Sequence, residues 1–154
     1  MGRLWDKLSG TKYPHGGVAP LAPLEVRGAL LALNAPDVPF RVRNALPAEK
    51  ADLVAECQIR RVGVRLKTRM RLLSDTQEVR FLHERWENRS SDDAHAQYGR
   101  GHAPAVYRQW EKEQRPGGKR RGVEAFRFDT REMTDPLQNT VLGAGWTWRG
   151  VFKL

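Results

Sequence analysis

The sequence predicts an α+β domain built on a largely antiparallel sheet, with one helix before its central strands and another before its last strand. Three observations carry this. Over residues 62–72, Val62, Val64, Leu66, Met70 and Leu72 share one parity with Thr68, and Arg65, Lys67, Arg69 and Arg71 occupy the other. Successive strand side chains point to opposite faces, so the run reads as a strand with one apolar and one cationic face. The segments on either side pair with it, through two separate turns, in registers that set apolar residues against apolar residues. Near the C-terminus, a helical pattern with a proline in its first turn leads into a strand rich in tryptophan. A closed or half-closed barrel is the variant of this fold.

The elements follow in order. Residues 1–22 open with a short amphipathic piece, Leu4, Trp5 and Leu8 on one helical face, and continue through Gly10, Pro14, Gly16, Gly17 and Pro20 as a loop expected to pack loosely. The folded domain is expected over 23–154. Pro23 starts a helix that buries Val26, Leu30 and Leu33 and stops near Asn34. Pro36 and Pro39 exclude its continuation, and Phe40 and Val42 then alternate with Arg41 and Arg43 in a short strand.

In the meander, the turn formers Ser74, Asp75, Thr76 and Gln77 set Leu72 against Val79 and Met70 against Phe81. On the other face the same register sets Arg71 against Arg80, Arg69 against Leu82, Lys67 against Glu84 and Arg65 against Trp86. A turn near 61–63 sets Ile59 against Val64, Cys57 against Leu66 and Leu53 against Met70, with Glu56 facing Lys67 and Asp52 facing Arg71. Residues 88–104 read as a long polar loop. Residues 105–114 fit a helix or a strand, and a strand is favoured because Phe126 and Phe128 lie in one that needs a partner. Arg115, Pro116, Gly117 and Gly118 would open the turn between them. Thr134 or Asp135 caps a helix with Pro136 in its first turn, Leu137, Val141 and Leu142 buried and Gly143 or Gly145 as its stop. In the final strand Trp146, Trp148, Gly150, Phe152 and Leu154 share a face.

The chain has 154 residues, 40% hydrophobic and 29% charged, which suits one domain with its own core. No apolar stretch approaches the roughly 20 residues of a membrane helix. The first residues lack the segments of a signal peptide, so a cytoplasmic location is expected. Cys57 is the sole cysteine and falls on the apolar side of its strand, as a small buried hydrophobe. The outlier is charge, +9 with twenty arginines and seven lysines. Such a balance favours nucleic acid, an acidic protein or anionic lipid as partner, and arginine forks suit phosphates.

Phe126, Arg127, Phe128, then Pro136, Leu137, Gln138, then Gly145, Trp146, Thr147, Trp148, Arg149, Gly150 resemble the end of a group of uncharacterised small bacterial proteins. The hairpin holding Met70, Arg71, Leu72 and Glu78, Val79, Arg80 is similar to theirs too. This resemblance covers about half the chain and implies no activity. A more distant similarity, to tubby-like and scramblase-like barrels, lies in many strands followed by a late helix and a last strand. Those barrels surround a strongly apolar helix, whereas this one carries Gln138, Asn139 and Thr140.

No Gly-Lys-Ser/Thr phosphate loop, GxSxG elbow or HExxH pair occurs, and no cofactor or metal is expected. His95 with Asp92, Asp93 and His102 matches no ligand spacing. His83, opposite Thr68, reads as a hydrogen-bonded core histidine. Two basic groups remain. On the outer sheet face Arg65, Lys67, Arg69, Arg71 and Arg80 meet Asp52, Glu56 and Glu84, with Trp86 beside Arg65, and ordinary cross-strand pairing accounts for most of it. Arg115, Lys119, Arg120 and Arg121, across a Pro-Gly-Gly turn with no intervening acid, suit a phosphate backbone. The expected function is a non-catalytic binding module that contacts polyanions, most simply nucleic acid, without sequence preference. The alternatives are an adaptor that attaches to an acidic protein or an anionic membrane through Leu4, Trp5 and Leu8, and an enzyme that uses the 88–104 loop.

Overall fold

The structure, a computed structural model, describes residues 2–87, 97–101, 104–114 and 120–154. Its elements are α1 (Gly2–Ser9), α2 (Pro23–Leu31), β1 (Arg41–Asn44), β2 (Leu53–Ile59), β3 (Val64–Leu73), β4 (Glu78–Glu87), β5 (Gln97–Arg100), β6 (Val106–Gln114), β7 (Arg120–Asp129), α3 (Arg131–Gly143) and β8 (Thr147–Gly150). Strands β1 to β5 form a sheet in chain order, every neighbour antiparallel. The fold is therefore α+β with a largely antiparallel sheet and a helix before its last strand. The sheet does not close into a barrel.

The central register is the one expected. Leu72 faces Val79, Met70 faces Phe81 and Arg65 faces Trp86 across β3 and β4, while Ile59 faces Val64 and Cys57 faces Leu66 across β2 and β3. Gly63 turns the first connection with φ of 64° after a single 3-10 turn over Arg60–Val62. The inward parity buries Leu53, Ala55, Cys57, Leu66, Met70, Val79 and Phe81, with Val26 and Leu30 of α2 and Met133, Leu137 and Val141 of α3 in the same core. Pro23 opens α2 as expected, and Asn34 ends the connection by bonding both the N–H and the C=O of Val42. Cys57 is buried, and burial raises its thiol pKa to about 11, which keeps it protonated and inert.

Four expectations change. Within the stretch read as a loop, residues 97–100 form β5, which pairs with the far end of β4. Residues 105–114 do supply a strand, but β6 and β7 make a separate two-stranded ribbon instead of joining the main sheet. Helix α3 starts four or five residues early, and Pro136 lies inside it. The earlier start adds Met133 to the stripe of Leu137 and Val141, and the burial of that side chain offsets the one backbone hydrogen bond the proline removes. The last strand ends at Gly150, so Phe152 is exposed instead of sharing the buried face of Trp146 and Trp148.

Strand β8 runs parallel to β4 along Glu78 to Phe81, on the edge whose other half carries β5. Two helix-to-sheet devices hold it. Gly145, at φ of 76°, turns the chain out of α3, and a Cβ there would lie 2.9 Å from the Pro20 backbone. The Trp146 indole N–H donates to the Leu21 carbonyl at 2.8 Å. The N-terminal segment expected to be loose is exposed over most of 13–22, but Ser9 and Thr11 are buried. Lys12 bridges to Trp148 through both backbone bonds.

Candidate functional site

Register places Arg41, Arg43, Arg65, Lys67, Arg69, Arg71, Arg80, Arg100 and Arg149 on the outward parity of the main sheet. The acids among them do not sit where simple cross-strand pairing puts them. Long side chains reach diagonal neighbours about 7–8 Å away as readily as direct ones. Glu84, opposite Lys67, takes a hydrogen bond from Arg69 Nε at 2.6 Å and another from the Tyr98 hydroxyl. Glu56 pairs with Arg43 at 2.9 Å instead of Lys67. Asp52 spends its carboxylate on the Leu72 N–H at 2.8 Å instead of Arg71.

The missing partner is Glu49. The 3-10 turn Pro47–Glu49 folds back over the sheet, where Glu49 takes two bonds from Arg43 at 2.8 Å each and pairs with Lys67, while its carbonyl accepts from Arg69 at 2.9 Å. Val54 and Leu82, in the same cross-strand row as Arg43 and Arg69, are fully buried, as expected when long basic stems and a returning turn lie over apolar residues. The centre of the face is a neutralised network. Arg43 donates to the Glu49 and Glu56 carboxylates and holds both pKa values well down, most strongly at Glu49. Burial opposes ionisation of Glu78, but bonds from Arg149 and Arg80 outweigh it.

These carboxylates bind a proton more weakly in the folded chain than in the unfolded one. The stability they supply is complete above the ordinary value of 4.5 and is lost as pH falls below it. The unfolding temperature is expected to be flat between about pH 8 and 6 and to fall below about pH 5. Glu49→Gln should lower it at neutral pH and flatten the acid limb, which thermal scans across pH would read. A melting curve independent of pH down to about 3 would remove the network from the stability of the fold.

On either side of the network the face is open. At one end Trp86 and Tyr98 lie 5.2 Å apart, centroid to centroid. The Arg65 guanidinium sits 4.3 Å over Trp86, and that of Arg100 sits 5.6 Å from Tyr98. Arg65, Tyr98 and Arg100 are exposed. At the other end Arg71 and Arg80 are exposed, with Arg80 and Arg149 sharing Glu78 at 2.8 and 2.5 Å. Arg65 to Arg71 spans six strand residues, about 20 Å.

The structure thus brings Arg65, Trp86 and Arg80 to one face and removes Arg69 from it as a free cation. Tyr98 and Arg100 were not legible, because a four-residue strand containing Gly99 has no periodicity to detect. Of the second basic group, Arg115 and Lys119 lie outside the described residues. Arg120 and Arg121 open β7, their backbones opposite Gln114 and Glu113. Among the described residues no cluster of three or more His, Cys, Asp or Glu could hold a metal ion, and no helix is long and apolar enough to cross a membrane. No protein-family model, curated protein or solved structure matches this chain.

Proposed function

We propose that the chain is a non-catalytic module that binds single-stranded nucleic acid, without sequence preference, across the outward face of its sheet. The observation that carries the reading is the pair of neighbouring rings, Trp86 and Tyr98, each with a guanidinium against it. Single strands are held by bases stacking on aromatic faces and phosphates lying on arginines, and stacking is indifferent to base identity. In this reading Trp86 and Tyr98 take bases while Arg65 and Arg100 swing to phosphates. Arg71 and Arg80 continue the track, and the basic group at 115–121 adds charge without reading bases.

Fluorescence anisotropy with labelled dT12 and rU12 at several salt concentrations tests this. Trp86→Ala is expected to weaken binding about tenfold or more with the salt slope unchanged, since stacking is worth about 1–3 kcal/mol per base. Arg65→Gln with Arg100→Gln should reduce the slope by about 1.4, the share of two phosphate contacts on a single strand. Neutralising Arg115, Lys119, Arg120 and Arg121 together should flatten it further. Equal affinity of Trp86→Ala and wild type would end the reading.

A second reading rests on α1. Leu4, Trp5 and Leu8 are 71%, 57% and 61% exposed, and Trp5 meets the exposed Phe152 ring edge-on at 5.6 Å. An apolar patch on a strongly basic chain suits an anionic membrane surface. Cosedimentation with phosphatidylserine vesicles but not with phosphatidylcholine vesicles, lost in Leu4→Ser with Trp5→Ser, would favour it. Equal cosedimentation of that variant would exclude it.

A further inference from the structure

The outward face carries another pairing of a ring with a guanidinium, at the end away from Trp86 and Tyr98. Lys12 pairs with Trp148, whose side chain lies in the core, so the next residue, Tyr13, takes the outward side. Its ring is 54% exposed, and its hydroxyl donates to Asp6 Oδ2 at 2.9 Å, which fixes how the ring stands. The Arg149 guanidinium lies 5.8 Å from the ring centroid. Arg149 is opposite Arg80 across β8 and β4, and both bond the buried Glu78 carboxylate through Nε. Arg80 is exposed, and its Nη groups are left to meet a phosphate.

We infer that Tyr13 is a second base-stacking platform for the same single strand, which reaches from Trp86 and Tyr98 to Tyr13 when bound. The inference rests on the outward-face reading and extends it to the footprint of the site. A stacking platform needs an exposed ring, held in place, with cations beside it. Tyr13 meets each condition. Trp86 and Arg80 are six residues apart on β4, about 20 Å. Between them on the outward parity stand Glu84 and Leu82, both buried, and Glu84 is paired with Arg69 at 2.6 Å. A phosphate backbone therefore meets no bare carboxylate along that row. Successive phosphates of a stacked strand lie about 3.4 Å apart along its axis, so about six nucleotides join the two platforms. Once one platform is filled, the second is reached at the high local concentration that the linking nucleotides impose. The ligand selected is a strand of about six nucleotides or more, in preference to a shorter one.

Anisotropy with labelled dT3 and dT12 tests the footprint, since three nucleotides fill the Trp86 and Tyr98 platform but do not reach Tyr13. Tyr13→Leu is expected to weaken dT12 binding about tenfold and to leave dT3 binding unchanged. Tyr13→Phe, which keeps the ring and loses only the bond to Asp6, should retain most of the dT12 affinity. Trp86→Ala should weaken both oligonucleotides. If Trp86→Ala weakens dT12 and Tyr13→Leu does not, the second platform is overturned and the outward-face reading stands. If neither variant weakens dT12, both fall. Equal loss in Tyr13→Phe and Tyr13→Leu would also overturn the platform, because the hydroxyl and not the ring would then matter. Photocrosslinking of a 12-mer carrying 5-iodouracil to the wild-type chain needs no variant to fold. Crosslinks are expected at Tyr13 as well as at Trp86 or Tyr98, and their absence at Tyr13 would overturn the inference.

Discussion

Gly150→Ala is expected to destabilise the protein by about 3 kcal/mol or more, lowering the unfolding temperature by on the order of 10 °C. An added Cβ would sit 1.6 Å from the Ser9 carbonyl oxygen and 3.2 Å from the Phe81 ring. The obstacle is backbone and cannot rotate away. It is also anchored. The Ser9 and Thr11 hydroxyls meet at 2.8 Å, Thr11 Oγ1 accepts from the Gly150 N–H at 3.0 Å, and Lys12 pairs with Trp148 beyond. Relief requires β8 to withdraw from β4 or residues 9–12 to lift, and either step exposes buried groups. Gly28→Ala is the matched control, since Gly28 is an exposed position inside α2 with open space around its missing Cβ. It should gain about 0.5–1 kcal/mol from helix propensity. If Gly150→Ala melts within a degree of wild type, the N-terminal segment is not docked on β8.

Deletion of residues 146–154 should abolish cooperative unfolding. It removes Trp146 and Trp148, both fully buried. Truncating even one buried tryptophan to alanine costs about 3–5 kcal/mol, against a total stability of about 5–15 kcal/mol for a domain. The deletion also strips β4 of its partner along Glu78 to Phe81 and leaves Phe81 without its stacked neighbour. Trp148→Ala is the graded version and should fold with a sharply lowered unfolding temperature. Calorimetry and dye binding to exposed apolar surface would read both. A truncated chain that still melts cooperatively would place β8 outside the folding unit.

The meander was legible because its two strongest signals are local. Period-two alternation in β3 and turn residues on either side leave only one register that keeps Leu66, Met70 and Phe81 together. The partners of its charges were not legible. Register states which residues are opposite, but arginine and glutamate span more than one row. The choice between Lys67 and Arg69 for Glu84 was made by Tyr98 and by the turn that carries Glu49. The candidate interface was correspondingly half visible, with Arg65, Arg80 and Trp86 marked by alternation and Tyr98 and Arg100 hidden in β5. The inward pairing of Thr68 with His83 was visible too, because register alone sets the two opposite each other.

By itself the sequence determined the α+β class, the order and pairing of β2, β3 and β4, the helix before them and the burial of Cys57, because each follows from neighbours within a few residues. Tertiary structure alone decided that β5 and β8 divide one edge of β4, that Glu49 neutralises the centre of the cationic strand, and that Gly150 must be glycine. Those features depend on where distant segments meet, and the geometry of their meeting is set by the packing of the whole core.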